Sequence, residues 1–590
     1  MTKLRFLLPS LLLAAVVLFL GACNRIPEHT KYIPKDAVVV GSVDMKQLGK
    51  KIVWSAITGS KLFKKMEEKA GQQKPTTDPE SVGIDLTSRM YMYMEHGNDP
   101  YSRVVYLTRV KDAARLETFL KGNFKAVTVT DHTQFKSAQL SDNTIAGWNK
   151  DVLIVIMMNA TDSMTTLPAW TDARNEATDT AELADDAVTS SDYLNNTVDS
   201  VITFLKRPVP SEALQAALTR AFSIREDSSI LSIAQFKDLQ KAGHDVTLWV
   251  NPNSLYSPLL GSNPMASGFV KPDDFKNLYM SAGINFEKGK ISAQMVYYVN
   301  DKLKDLYEAF GKENLNMDMV ERLPNKNADV MLAYKINFDA IKKALQQFKL
   351  DGLVNLGLAS QGFSLDEVLK AFKGDLVIAM SDLKSKQTQI DLSDSTTYTH
   401  VTPDMKLIIA ANVGDKNAIE KMFNKFGAAS LTQRNGGYYQ LGTDSSANVF
   451  LNDKYMIFSS DRSFTEAYLN PGSTKGELPE LVRSHFKGNP SGMYVNLGSI
   501  FNYMLLDPYQ KQKTVITTLN ETFDKVIGWG GNVANKQVKY NAELQFKSKE
   551  ENSLIILLDL ADKLSDQYVQ EEDAPDAPQA DASATPVNVQ

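Results

Sequence analysis

Two stretches, Val110–Leu120 (VKDAARLETFL) and Val413–Phe423 (VGDKNAIEKMF), show how this chain is organised. They begin 303 residues apart, and in each an aspartate precedes a helical pattern. The apolar positions of the first recur in the second: Leu116, Phe119 and Leu120 against Ile419, Met422 and Phe423. This i, i+3, i+4 spacing places each trio on one buried helix face. A repeat period near 300 residues predicts an internal duplication.

The same offset relates two hairpins, with polar turns at Asn149-Lys150 and Asn452-Asp453. The two copies also begin alike, with Ile33–Val40 resembling Leu323–Val330. We predict one copy over residues 31–320 and a second over 321–565. Their predicted parts are 31–160 and 193–320 in the first copy, and 321–470 and 471–565 in the second.

The predicted fold class is α+β, with mostly antiparallel sheets and packed helices. Strand patterns at Tyr91–Met94, Ser292–Tyr298 and Leu376–Met380 lie near hairpin signals. Residues 161–192 are acidic and lack periodicity, so we predict an exposed linker there. The acidic, proline-containing tail, 566–590, is predicted to be disordered.

The N-terminus has the pattern of a secretory signal, residues 1–22. Lys3 and Arg5 precede an apolar run that ends in Leu20-Gly21-Ala22-Cys23. This ending resembles the lipobox of bacterial lipoproteins. The resemblance implies that the chain is cut before Cys23, and that Cys23 carries a diacylglyceryl group and an amino-terminal acyl chain such as palmitate. Residues 23–30 would form a tether to a membrane.

Composition excludes several kinds of chemistry. Cys23 is the only cysteine, so a lipidated chain has no thiol left for a disulfide, a thiolate metal site or a nucleophile. The formal net charge is −6. Without the signal and the acidic tail, the body carries about −2, which gives no net attraction for nucleic acid. We therefore expect no nucleic-acid partner.

Polar residues at the ends of four strands suggest a repeated motif. They are Asp44, Asn251, Asn337 and Asn496, each just before a helical segment. Short polar side chains at such positions cap helices, and we favour that interpretation over a fourfold binding site.

Other candidate sites have simpler structural interpretations. The six histidines are dispersed, and no HExxH or Gly-x-Ser-x-Gly motif occurs. Gly528–Gly531 fits a bend or bulge better than a nucleotide loop, and Trp529 within it fits core packing better than a ligand platform.

The charged segments also lack the pattern of a binding site. The acids of Thr161–Asp186 lack a calcium-loop spacing. The spacing of one basic cluster indicates a solvated helix face; its members are Lys61, Lys64, Lys65 and Lys69. We therefore predict no catalytic, cofactor or metal residues, and a lipid attachment at Cys23.

The run Ile33–Val40, followed by Val43-Asp44 and Leu48, resembles the opening of a family of lipoproteins from Bacteroidales-type bacteria. That family, numbered 4836, is catalogued as a domain of unknown function. The resemblance is expected to cover residues 30–565 and implies a Gram-negative envelope, with no catalytic residues assigned. Because Asn24–Pro27 lacks the acidic run that resembles a surface-export signal, we expect the outer membrane, facing the periplasm.

Three functions remain open. The first is a non-catalytic binding or assembly module anchored to the membrane through lipidated Cys23, with an envelope protein or peptidoglycan as partner. The second is a carrier of an apolar, lipid-like ligand, suggested by strands such as Leu376–Met380 that are apolar on both faces. The third is an envelope hydrolase with a dispersed site. We expect that the chain is not an enzyme.

Overall fold

The computed structural model describes residues 26–61, 63–64, 82–96, 99, 101–124, 127–160, 209–254, 271–323, 328–391, 397–426, 431–433, 437–441, 448–472, 478–506 and 512–572. The predicted signal, Cys23, the acidic linker 161–192 and the end of the tail lie outside the described residues.

The described residues form both helices and strands, as follows. The strands are β1 Val39–Asp44, β2 Arg89–His96, β3 Tyr101–Arg109, β4 Val129–Asp131, β5 Lys136–Ser141, β6 Thr144–Trp148, β7 Val152–Ala160, β8 Val246–Val250, β9 Tyr279–Glu287, β10 Lys290–Tyr298, β11 Ala328–Lys335, β12 Phe372–Asp391, β13 Thr397–Val413, β14 Leu431–Gln433, β15 Tyr438–Leu441, β16 Asn448–Leu451, β17 Tyr455–Ser459, β18 Ser491–Asn496, β19 Phe523–Ala534 and β20 Gln537–Phe546. The α-helices are α1 Met45–Leu48, α2 Trp54–Gly59, α3 Ala113–Asn123, α4 Ser211–Phe222, α5 Ala234–Lys241, α6 Lys304–Phe310, α7 Met317–Glu321, α8 Phe338–Gln347, α9 Asp351–Ser360, α10 Leu365–Lys370, α11 Lys416–Phe426, α12 Arg462–Leu469, α13 Glu480–Phe486, α14 Leu497–Leu505, α15 Lys513–Thr522 and α16 Ser553–Glu572. Short 3₁₀ turns span Glu28–Tyr32, Glu226–Ser228, Ile230–Ser232 and Pro272–Phe275.

The strands join into one antiparallel sheet, so the fold is mixed α+β. The N-terminal half, β1–β10, has the order β4-β5-β6-β7-β3-β2-β1-β8-β9-β10. The C-terminal half, β11–β20, continues from it as β20-β19-β18-β11-β12-β13-β17-β16-β15-β14. Each strand of the first half therefore has a counterpart, ten strands later, in the same relative place.

The two halves meet where β10 pairs with β20. Gln294 lies opposite Asn541 at the middle of this pairing, and its Nε2 donates a hydrogen bond of 3.1 Å to the Asn541 Oδ1. The helix after β10, α6, contacts β19, and the helix after β20, α16, contacts β9. Each half therefore packs its last helix against the other half.

Helices α3 and α11 occupy equivalent places 303 residues apart, the offset on which the sequence comparison rests. Asp112 accepts hydrogen bonds from the backbone N–H groups of Ala114 and Arg115 at 3.0 Å. Asp415 does the same for Asn417 and Ala418 at 3.0 and 3.3 Å. The predicted hairpins β6–β7 and β16–β17 are also confirmed.

One face of the sheet, called here the core face, carries the main core. Helices α4 and α5 cover it in the N-terminal half, and α7, α12 and α13 in the other. One face of α4 packs on the core face of the sheet through five buried residues: Leu214, Ala217, Leu218, Ala221 and Phe222.

The C-terminal boundary differs from the prediction. Helix α16 runs to Glu572, so residues 566–572 are helical rather than disordered. Apolar residues such as Ile556 and Leu560 are buried and hold the first turns of α16 against the body. The remainder, 573–590, lies outside the described residues.

Candidate functional site

Two neighbouring rows of residues cross the N-terminal half of the sheet and differ sharply in exposure. On the core face, the cross-strand row Val105-Tyr93-Val40-Trp249-Ser281-Val296 is at most 7% exposed. The adjacent row points to the opposite face, because successive side chains of a strand alternate. We call that side the open face.

The adjacent row is Tyr106-Met92-Gly41-Leu248-Ala282-Met295, and we call it the apolar band. Tyr106, Met92, Leu248 and Met295 are 44%, 40%, 42% and 36% exposed. Strand β2 alternates Met90, Met92 and Met94 on this face with buried tyrosines on the other. Methionine is flexible and polarizable, which suits a surface that adapts to an apolar partner.

The equivalent row of the C-terminal half is covered. It consists of half-buried residues: Ile409, Ile378, Leu332, Met493, Gly528 and Ala542. Helix α14 contacts β11, β12 and β19 and takes no part in the core-face cluster. It therefore lies on the open face, and its sequence, LGSIFNYML, is largely apolar.

A second feature is a charged pocket of about 570 Å³ at the ends of β1, β2 and β3. Its lining carries charges of both signs: Glu28, Asp44, Lys46, Asp85, Arg89, Arg109 and Asp151. His29 and Gln240 also line it, together with Ile26 and Pro27 at the start of the described chain. These residues come from segments far apart in sequence, which is why no motif indicated the pocket.

Arg89 organises the floor of the charged pocket. Its guanidinium donates to the Asp44 carboxylate at 2.7 Å and to the Gln240 side chain at 2.5 Å. Arg89 is 6% exposed and Asp44 19%, so the pair is partly desolvated and each charge depends on its partner. At the equivalent β11–β12 position, Lys335 pairs with Asp375 at 3.1 Å, with the signs exchanged.

Burial shifts two titratable groups beside the charged pocket. Burial lowers the pKa of His29, although its ring Nε2 lies 2.8 Å from the Arg89 carbonyl oxygen, which favours the charged form. Burial also raises the pKa of Tyr91 to about 12. The Tyr91 hydroxyl accepts a hydrogen bond from Thr30 at 2.9 Å. Both groups are therefore neutral near pH 7.

Capping is confirmed for three of the four polar strand-end residues. Asp44 accepts from the backbone N–H of Gln47, Asn337 from that of Ala340, and Asn496 from that of Ser499. Asn251 is buried at the end of β8. The four residues do not converge on one site, but Asp44 also belongs to the charged pocket, a second role that the capping interpretation did not include.

The histidines make local contacts. His132 stacks on Phe135, His244 lies 3.3 Å from the Asn285 side chain, and His485 contacts Trp529. In the described part of the chain, no three His, Cys, Asp or Glu residues are grouped as metal ligands would be. The absence of metal, cofactor and catalytic residues remains a prediction.

Gly528–Gly531 lies in β19, where the pairing register shifts between Gly530 and Asn532. Gly530 and Gly531 have φ values of 143° and 98°, which glycine tolerates. The expected bulge is confirmed, and Trp529 packs against the core. The acids of Thr161–Asp186, and Lys65 and Lys69 of the basic cluster, lie outside the described residues.

The membrane attachment predicted at Cys23 also lies outside the described residues. Among the helices that the structure describes, none is long and apolar enough to cross a bilayer.

Comparison with known proteins finds one family match, in the N-terminal region. Residues 29–194 match the family described as "Domain of unknown function (DUF4836)". The match ends at 194, so the expected extension to residue 565 remains a prediction. No curated protein matches.

Solved structures give only distant similarity. Crystal forms I and IV of TP0453 are 8% and 10% identical to this chain, with TM-scores of 0.20 and 0.22. The alignments cover 47% and 49% of this chain and 81% and 87% of the other. TM-scores this low establish neither a shared fold nor a shared function.

Proposed function

We propose that this chain, whose residues 29–194 match the DUF4836 domain of unknown function, is a lipid-anchored binding or assembly module of a Gram-negative envelope. Lipidated Cys23 would hold it on the outer membrane, facing the periplasm, and its role is non-catalytic. The observation that carries the proposal is the apolar band, from which four large apolar side chains project into solvent on one sheet face.

The proposed partner is a protein that presents an apolar helix face. Contiguous exposed apolar surface of this kind is typical of interaction sites. In the C-terminal half, α14 covers the equivalent row, so the molecule itself contains an example of what fits such a surface. We also infer that the two halves are copies of one unit, because their strand orders agree and α3 and α11 keep the 303-residue offset.

The apolar band favours a binding module over a lipid carrier. A carrier encloses most of its ligand, about 70–90% of the ligand surface in typical pockets. Met92, Tyr106 and Leu248 instead lie on an open face at 40–44% exposure. The carrier remains the second candidate, because the band is apolar enough to hold acyl chains.

Thiol labelling tests the proposal, since Cys23 is the chain's only cysteine. Met92→Cys and Leu248→Cys are compared in two settings: purified protein carrying Cys23→Ser, and intact cells treated with a membrane-permeant maleimide. We expect rapid labelling of the purified protein and strong protection in cells. Asp453→Cys, at a position whose side chain is 94% exposed, is the matched control and should react in both.

Equal labelling of Met92→Cys in cells and in solution would contradict a partner on the apolar band. Protection already present in the purified protein would show that the chain itself, or a retained ligand, covers the band. Mass spectrometry of an organic extract separates these two cases, and a stoichiometric lipid would support the carrier. The unmodified native chain should have no reactive thiol, because a lipidated Cys23 is a thioether.

A further inference from the structure

The charged pocket lies where the described chain begins. Ile26, Pro27 and Glu28 line it, and Ile26 is three residues after Cys23. Three residues span at most about 11 Å, and the headgroup layer on each side of a bilayer is roughly 5–8 Å thick. A lipid on Cys23 would therefore hold the pocket beside the headgroups.

Some charges of the pocket are satisfied within the protein and others are not. Asp44 is held by Arg89, and Asp85 lies 3.5 Å from Arg109. The remaining charged residues of the lining, Lys46, Glu28 and Asp151, are exposed, and they have no ion-pair partner within the described residues. Arg109 is itself 61% exposed and has donors to spare. The pocket thus offers unpaired charges of both signs.

We propose that the charged pocket binds the zwitterionic headgroup of an aminophospholipid, an inference that rests on the lipid anchor of the proposed function. The phosphate lies against Lys46 and Arg109, and the ammonium group against Glu28 and Asp151. A zwitterionic ligand pairs with both the basic and the acidic side chains. A simple anion would be repelled by Glu28 and Asp151, and a simple cation would be repelled by Lys46 and Arg109. The headgroup would also fix the orientation of the body on the membrane.

A soluble probe tests the pocket without a membrane. The mature chain carrying Cys23→Ser is titrated with glycerophosphoethanolamine by calorimetry. Lys46→Gln and Asp151→Asn should each weaken binding roughly five-fold, in keeping with the loss of one exposed charge contact. Lys50→Gln and Asp142→Asn, at exposed positions that do not line the pocket, are the matched controls and should leave affinity unchanged.

The chemistry of the probe separates the alternatives. Glycerol 3-phosphate and ethanolamine, which carry only one of the two charges, should bind more weakly than the zwitterion. Equal binding of glycerol 3-phosphate would overturn the proposal in favour of a simple anion site. Tighter binding of a short peptidoglycan stem peptide would overturn it in favour of a peptide ligand, and absence of any binding would overturn it outright.

Failure of the anchor can be distinguished from failure of the pocket. The intact mass of the native chain reports whether Cys23 is acylated. An unacylated chain would remove the anchor of the proposed function, while the titration would still decide whether the pocket recognises the headgroup. An acylated chain with no headgroup binding would leave the anchor standing and reject the pocket.

Discussion

The two halves of the molecule share a strand order but differ in what surrounds it. In the N-terminal half, the open face carries the exposed apolar band, whereas α14 covers the equivalent row of the C-terminal half. The ion pair Asp44–Arg89 is replaced by Lys335–Asp375, with the charges exchanged. The place of His29, ahead of the first strand, is taken by the buried Met319.

This comparison separates what the fold requires from what one half alone uses. Both halves have an ion pair at the end of the first strand pair, with the two charges arranged in opposite ways. The C-terminal half keeps this strand order with Met319 in the place of His29 and with α14 over the row equivalent to the apolar band. The buried His29 and the exposed apolar band are therefore not required by the strand order, which makes them better candidates for function than the shared framework.

The largest expected effect contrasts neighbouring residues on opposite faces. Trp249→Ala, in the core, should lower the free energy of unfolding by about 3–5 kcal/mol, because Trp249 is fully buried against Phe236 and Tyr279. Leu248→Ala should cost less than about 1 kcal/mol, because Leu248 is already 42% exposed. Urea denaturation of the purified chain measures both.

Met493→Ala gives the corresponding value for the C-terminal half. Met493 is equivalent to Leu248 but half-buried on the face that α14 covers, so we expect a cost of about 1–2 kcal/mol, between the other two. Equal costs for Leu248→Ala and Met493→Ala would mean that the apolar band is covered in solution as well.

A smaller effect concerns acid stability of the N-terminal half. Burial lowers the pKa of His29 below its ordinary value of 6.5. Below that pH, the His29 side chain is therefore more protonated in the unfolded chain than in the folded chain. The free energy of unfolding should therefore fall as pH falls from 7 to 5, by up to about 1.4 kcal/mol per pH unit from this one group. His29→Met, which imitates Met319, should reduce that slope.

Chemical denaturation at several pH values measures the contribution of His29. His132→Gln, which removes a histidine from an exposed position, is the matched control. If His29→Met kept the full slope, the acid sensitivity would originate elsewhere. The pH dependence would then no longer distinguish the two halves.

Sequence patterns predicted the parts of the fold that depend on local chemistry. The 303-residue offset located α3 and α11, and the turn residues located the hairpins. They could not reveal the pairing of β10 with β20, because antiparallel pairing between distant strands leaves no local signal. They also missed the apolar band. Strand β2 alternates methionine and tyrosine, so the sequence predicts burial for both of its faces. The Arg89 network and charged pocket depend on side chains that only the fold brings together.

The smallest difference between the two halves is expected at their helix caps, where the fold demands that they agree. Asp112 and Asp415 cap equivalent helices through the same two backbone positions. Asp112→Ala and Asp415→Ala should each cost about 1 kcal/mol of unfolding free energy, with Asp→Asn at either site as the conservative control. Equal losses support equivalent caps on duplicated units, because a cap contributes through local geometry rather than through its surroundings. A loss at one site only would show that the halves have diverged in their shared framework as well as on the surfaces that distinguish them.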